Sequence, residues 1–177
     1  MYYDVKRKFL VKSANLQSLD DLHLSVVHSV FLNVDKLGDL GLSTLVGSEP
    51  TTNDIEVQVC LVKDGNNKIN YWAISKVGQD SEGSAKAATP IDSNTFYTVR
   101  DSLGDKEIKK SRFAFTYLRR QFDLDVFNNG ETLLLSVLLD TKTDLFALPP
   151  FVEVIKEVTD DPEYASYCLA HDIGEVI

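Results

Sequence analysis

Alternation dominates the chain. Across residues 2–11, Tyr3, Val5, Arg7 and Phe9 fall on one face of an extended segment, and Asp4, Lys6 and Lys8 on the other. That is a strand with one charged face. β-Branched and aromatic residues over 26–34 predict a second strand. Ile55, Val57, Val59 and Leu61 then alternate with Glu56, Gln58 and Cys60. Asp64-Gly65-Asn66-Asn67 is turn chemistry, and 69–77 reads as the returning strand of a hairpin. Residues 107–117 and 121–127 continue the pattern, and Asn128-Asn129-Gly130 supplies another turn. The stretch 132–139 is apolar enough to predict burial on both faces.

Helical signals are fewer. Ser13 ahead of Leu16, Leu19, Leu22 and Leu24 suggests one short helix. Asp92 or Ser93 is placed to cap a second, running to about Leu103 with Gly104 as its stop. Pro162 opens a last one, with Tyr164, Tyr167, Cys168 and His171 at helical spacing. Glycines 38, 41 and 47 and Pro50 mark 35–53 as loop. Residues 78–90 are small and polar, a loop or weak edge strand, and Pro149-Pro150 breaks the chain. Roughly six to eight strands with two or three short helices predict an antiparallel barrel or sandwich with added helices.

Composition narrows the function classes. The 177 residues include 18 Lys+Arg and 27 Asp+Glu, a net charge of −9, with 44% hydrophobic and 25% charged residues. One domain, 1–177, is expected, with no metal or disulfide needed to hold it. The acidic balance argues against coating by nucleic acid or an anionic membrane. The longest apolar runs, near 133–139 and 147–152, fall short of the roughly 20 residues that span a bilayer. The charged start, with Asp4, Lys6, Arg7 and Lys8, is no signal peptide. Cys60 and Cys168 make neither a disulfide framework nor a zinc site and predict reduced thiols in the cytoplasm. His23, His28 and His171 are scattered, and Trp72 reads as core.

Locally the charge reverses. Residues 106–120 hold Lys106, Lys109, Lys110, Arg112, Arg119 and Arg120 against one acid, Glu107. With Lys6 and Lys8, two strands of inward cations would make a polyanion site; outward, they are solvated faces. Residues 153–177 carry seven acids and one lysine, Lys156, either a solvated surface or a contact for a protein partner.

The residues also carry a resemblance. Val5-Lys6-Arg7-Lys8-Phe9-Leu10-Val11 resembles the opening of the CYTH domain, or triphosphate tunnel metalloenzyme family, whose signature is Glu-x-Glu-x-Lys followed by Phe-Leu-Val. Lys110-Ser111-Arg112-Phe113 is similar to its Lys-Thr-Arg-Tyr strand, and 122–127 to its Trp-Glu-Val-Asp-x-Phe strand. Pro149-Pro150-Phe151-Val152, the run 157–164 and Leu169-Ala170 are similar to its Pro-x-Trp-Leu, Glu-Val-Thr-x-Asp-x-x-Tyr and Leu-Ala ending. The resemblance implies an α+β, mostly β fold: an antiparallel eight-stranded β-barrel, open at both ends, with a few short helices. It implies a lumen whose Arg and Lys hold a triphosphate beside Mg²⁺ or Mn²⁺ on glutamates, and hydrolysis of inorganic, nucleoside or other organic triphosphates.

The departures fall on the metal ligands. Asp4 and Lys6 stand at the opening glutamates, Glu56-Val57-Gln58 at an Arg-x-Arg strand, and Ser75 at a lysine, with Lys76 one step away. Residues 84–89 lack a carboxylate, and Ser136-Val137-Leu138 stands at a Glu-x-Glu. Hard cations need several convergent oxygens. Only Asp4, Asp123, Asp125 and Glu157 remain as metal candidates, and no catalytic residue is assigned. Lys6, Lys8, Lys76, Lys110 and Arg112 are the candidate ligand-binding residues. The expected function is a non-catalytic barrel binding a phosphorylated small molecule, a triphosphate or nucleotide, or a protein partner, with no membrane or nucleic-acid role. The alternatives are a divergent Mg/Mn-dependent triphosphatase and an acidic protein-binding regulator. Lys6 paired with Asp4, Asp123 or Asp125 in a purely structural tunnel is the competing arrangement.

Overall fold

A computed structural model describes residues 2–33, 55–80, 83–127 and 131–173, with the side chains of 2–4, 55, 77–80 and 83–85 outside that description. The expected loop over 35–53 and the Asn128–Gly130 turn fall outside the described residues. The strands are β1 (Tyr2–Ala14), β2 (His23–Leu32), β3 (Ile55–Asp64), β4 (Ile69–Asp80), β5 (Gly83–Ile91), β6 (Gly104–Tyr117), β7 (Arg120–Phe127), β8 (Leu133–Leu139), β9 (Val152–Glu157) and β10 (His171–Asp172). Helix α1 (Ser93–Leu103) links β5 to β6, and a 3₁₀ turn (Pro162–Tyr164) precedes the short α2 (Ser166–Leu169).

All pairings are antiparallel, in the order β10-β6-β2-β3-β4-β5-β1-β8-β7. β6 also pairs β7, from Lys110 opposite Phe127 to Tyr117 opposite Arg120. The sheet therefore curls until β6 lies between β2 and β7. Among the described residues the strands number ten where eight were expected: β9 and β10 are additions, carried by β1 and β6 respectively.

Direct partners in an antiparallel ladder share a face. Lys8, Ser136, Asp123, Ala114 and His23 are linked partner to partner and so define one face, the inner one. Steps of two along each strand add Lys6 and Leu10 on β1, Lys110 and Arg112 on β6, and Asp125 and Phe127 on β7. On the far side, Ser29, Cys60 and Trp72 are in register, as are Glu56, Lys76 and Lys86.

The opposite face is apolar and covered. Helix α1 lays Phe96, Val99 and Leu103 on Val30, Val57, Val59 and Ala73. Asp92 accepts a hydrogen bond from the Thr95 N–H, as expected of its N-cap. Around the sheet, Phe9, Phe115, Phe122, Leu135 and Val137 are covered by Leu16, Leu19, Leu22, Phe146 and Phe151. Residues 15–22 are turns, not the suggested helix. Their leucines reach the sheet directly, and Asp21 is held by the Thr116 N–H at 3.1 Å.

Two other expectations change. The stretch expected as a loop or weak edge is β5, and it pairs on both sides, with β4 and β1. The last helix is broken into a 3₁₀ turn and α2, because Asp161 caps the turn and Ala165 leaves the helical conformation.

A third apolar cluster sits at one end of the inner face. Phe31, Ile108, Phe127, Leu134 and Leu10 point there from five strands and pack against Val158, Tyr164, Leu169 and Ala170. The resemblance implies two open ends; among the described residues, the C-terminal segment fills one of them. At the other end the inner-face residues His23 and Gln121 are exposed, and Leu138 is 39% exposed.

Candidate functional site

The inner face gathers charge. Lys110 Nζ donates to Asp125 Oδ2 at 2.8 Å; Arg112 Nε donates to Asp125 Oδ1 at 2.8 Å and its Nη2 to Oδ2 at 2.9 Å. Arg112 also lies 3.8 Å from Asp123. Both Asp125 oxygens are thus occupied by cations. Burial alone would raise the Asp125 carboxyl, but Lys110 and Arg112 overcome it and hold it well below the ordinary carboxylate range. Burial first, then Arg112 and Lys6, lower the Lys110 ammonium to about 8 against the opposing pull of Asp125.

Across from this pair stand Glu56 and Lys76, 3.6 Å apart. Gln58 donates to the same Glu56 oxygen at 3.3 Å, Cys60 Sγ donates to Gln58 Oε1 at 3.2 Å, and Ser29 meets the thiol at 3.3 Å. Burial pushes the Cys60 thiol up, away from reactivity. Lys8 lies between the two groups. Its ammonium is lowered first by burial, then by Lys76 and Lys6, with Asp125 and Glu56 acting against them. The ammonium donates a long hydrogen bond, 3.4 Å, to the Tyr164 carbonyl oxygen.

The five candidate cations accordingly lie on the inner face, within electrostatic reach of one another. Lys76, not Ser75, is the inward residue, because Lys76 is in register with Glu56. Of the metal candidates, Asp123 and Asp125 are here, and the Asp4 side chain lies outside the described residues. Glu157 is elsewhere: β9 places it opposite Phe9, on the outer side, where Arg7 Nε and Nη2 each donate to it at 2.7 Å. Alternation shows which residues share a face, but not which face turns inward. Glu157 is grouped with the inner carboxylates by the resemblance to the Glu-Val-Thr ending alone, and the register of β9 turns it outward.

Glu56, Gln58 and the Tyr164 carbonyl belong to the site and were not singled out by sequence. For Glu56 the signal was available: the Asp64–Asn67 turn brings it opposite Lys76. Three acids of the C-terminal stretch have separate local roles. Glu153 pairs with Lys12, Glu157 with Arg7, and Asp161 caps a turn.

A divalent cation does not suit this donor set. Asp125 already accepts from two cations, one Glu56 oxygen is shared by Lys76 and Gln58, and Lys6 and Lys8 would repel an ion between them. Among the described residues no three His, Cys, Asp or Glu converge as a metal would require. An oligophosphate suits it better, since its oxygens accept from ammonium and guanidinium groups alike.

No protein-family profile matches the chain, and no curated protein matches it by sequence. Solved structures do. The inorganic triphosphatase NE1496 superposes with a TM-score of 0.57 at 23% identity, over 98% of this chain and 97% of that one. PH1819 from Pyrococcus horikoshii OT3 gives 0.57 at 11%, over 80% and 81%. A chain of the Schizosaccharomyces pombe Mediator head module gives 0.51 at 9%, over 83% and 86%. At these identities the likeness establishes the fold, a mostly-β antiparallel sheet with few helices that resembles the triphosphate tunnel.

Proposed function

We propose that the chain is one domain in which eight of the ten strands wall a lumen that binds a triphosphate-class anion without a metal. The observation that carries this is the gathering of inward cations on one face. Lys6, Lys8, Lys76, Lys110 and Arg112 face three described carboxylates, Glu56, Asp123 and Asp125. A guest anion would accept from several of these ammonium and guanidinium groups at once. Two free thiols fit the cytoplasmic setting in which such phosphates are made.

Calorimetric titration with inorganic tripolyphosphate in the presence of a chelator tests this. Binding is expected, weakened about tenfold or more in Lys8→Met and Arg112→Met, as the loss of a charge-assisted contact of roughly 1.5–3 kcal/mol implies. Binding that requires added Mg²⁺ or Mn²⁺ would sink the metal-free reading.

The fold shared with an inorganic triphosphatase favours a second reading, hydrolysis of the same class of anion. Phosphate release from tripolyphosphate or nucleoside triphosphates, with and without Mn²⁺, separates the two. Sustained turnover makes the lumen an active site.

A further inference from the structure

Helix α1 covers only part of the outer face. Its Phe96, Val99 and Leu103 lie on Val30, Val57, Val59 and Ala73. Along the same three strands the face runs on past the helix. Val26 on β2 stands opposite Lys63 on β3, which stands opposite Ile69 on β4; the next row toward α1 is His28, Leu61 and Tyr71. Leu24 extends this face along β2. Leu24, Val26 and Ile69 are 45%, 41% and 44% exposed, and Tyr97, on α1 against Tyr71, is 49% exposed. Scattered singly, such residues are ordinary; gathered on one bare face they mark an interaction surface. Lys63 lies within the patch and Lys109, opposite His28, lies beside it. Both are exposed, and neither forms an ion pair among the described residues. Lys12 and Arg7, by contrast, have found Glu153 and Glu157, as is easy in a chain of net charge −9.

We infer that this bare part of the outer face docks an acidic amphipathic helix of a partner protein. The apolar stripe of that helix seats on Leu24, Val26 and Ile69 beside α1, and its flanking carboxylates meet Lys63 and Lys109. The inference concerns the outer wall and does not depend on the lumen reading. Helix α1 shows what the face accepts: an apolar stripe laid across β2, β3 and β4. Those three strands span roughly 10 Å, about the width of one helix. Burial of the stripe supplies the affinity, and the two lysines select the sign of the partner, since like charges brought together at a contact are penalised. The same rule disfavours other occupants. A second copy docked about a two-fold axis would bring Lys63 toward Lys63, and an anionic bilayer would meet a chain of net charge −9.

The test is selection from a displayed library of random peptides of about 16 residues, some four helical turns. Selection is on the full chain, with counter-selection on the Val26→Ser/Ile69→Ser variant. Both positions are exposed, so the variant folds, and an unchanged melting temperature verifies it. Enriched peptides are expected to be net acidic, with apolar residues at i, i+3, i+4 and i+7. A synthesised winner should bind Lys63→Glu/Lys109→Glu about tenfold more weakly than the wild type, and its counterpart with Lys in place of each acid should prefer that variant. Enrichment without an acidic bias, or no peptide that distinguishes the chain from the Val26→Ser/Ile69→Ser variant, overturns the proposal. Co-sedimentation with phosphatidylserine vesicles that these two substitutions abolish assigns the face to a membrane and overturns it. A dimer that they dissociate assigns it to a second copy, with the same consequence.

Discussion

Asp125 decides how the inner cations are held. It is buried, and both of its oxygens accept from cations. Removing one partner of such a group leaves uncompensated buried charge, at a cost of about 3–5 kcal/mol. Asp125→Asn is therefore expected to lower the melting temperature strongly, and tripolyphosphate should raise it more in this variant than in the wild type. Differential scanning fluorimetry with and without the anion reads both effects. Because its folded pKa is depressed, Asp125 contributes stability that is present above the unfolded carboxylate value near 4 and lost as pH falls through the folded value. Lys110 gives the opposite window. Its ammonium, lowered to about 8, discharges at mildly alkaline pH, so anion affinity should fall as pH rises through about 8. Lys110→Met should bind more weakly and lose that step. An unchanged pH profile in the variant would rule out Lys110 as its source.

At the scale of elements, α1 is held by packing and by one buried charge cluster. Phe96 is fully buried against β2, β3 and β4, and Arg100 grips Glu107 at 3.0 and 3.1 Å while His28 meets the same carboxylate at 2.7 Å. Burial would raise Glu107, but Arg100 and His28 prevail and hold it at about 2. Phe96→Ala should cost roughly 3–5 kcal/mol, measurable by urea unfolding. Gly104, read from sequence as a helix stop, is needed for a different reason. Its φ is −62°, open to any residue, but a Cβ there would collide with Ile173 and the Arg100 carbonyl. Gly104→Ala should therefore destabilise the α1–β6 junction, with the melting temperature falling. The strands that alternate were legible because period-two burial leaves its mark on composition. β5 was not, since Gly83–Ile91 has few β-branched residues and owes its place to β4 and β1 on either side. β9 was hidden by its shortness after Pro149-Pro150. In the site, the cations could be read from alternation, whereas Tyr164 could not: it contributes a backbone carbonyl, which no side-chain pattern encodes.

At the scale of the molecule, the net charge of −9 and the cationic interior are separate facts. Some of the acids serve outward pairs, such as Glu157 with Arg7 and Glu153 with Lys12, while among the described residues Lys8, Lys76, Lys110 and Arg112 gather on the inner face. No helix among the described residues is long and apolar enough to cross a membrane. The shared fold spans a protein named as an inorganic triphosphatase and a chain of the Mediator head module, so architecture alone does not choose a function.

The placement of β1 has a consequence for how the chain is made. This first strand pairs with β5, β8 and β9, all much later in sequence. At about 5–20 residues per second, on the order of ten seconds separates the emergence of Phe9 and Val11 from that of their partners on β8. Until then a strand that carries Phe9 and Val11 waits on the ribosome with both edges open. Refolding in vitro should be correspondingly slow, in the millisecond-to-second range typical of topologies dominated by distant pairings, and stopped-flow fluorescence of Trp72 would time it.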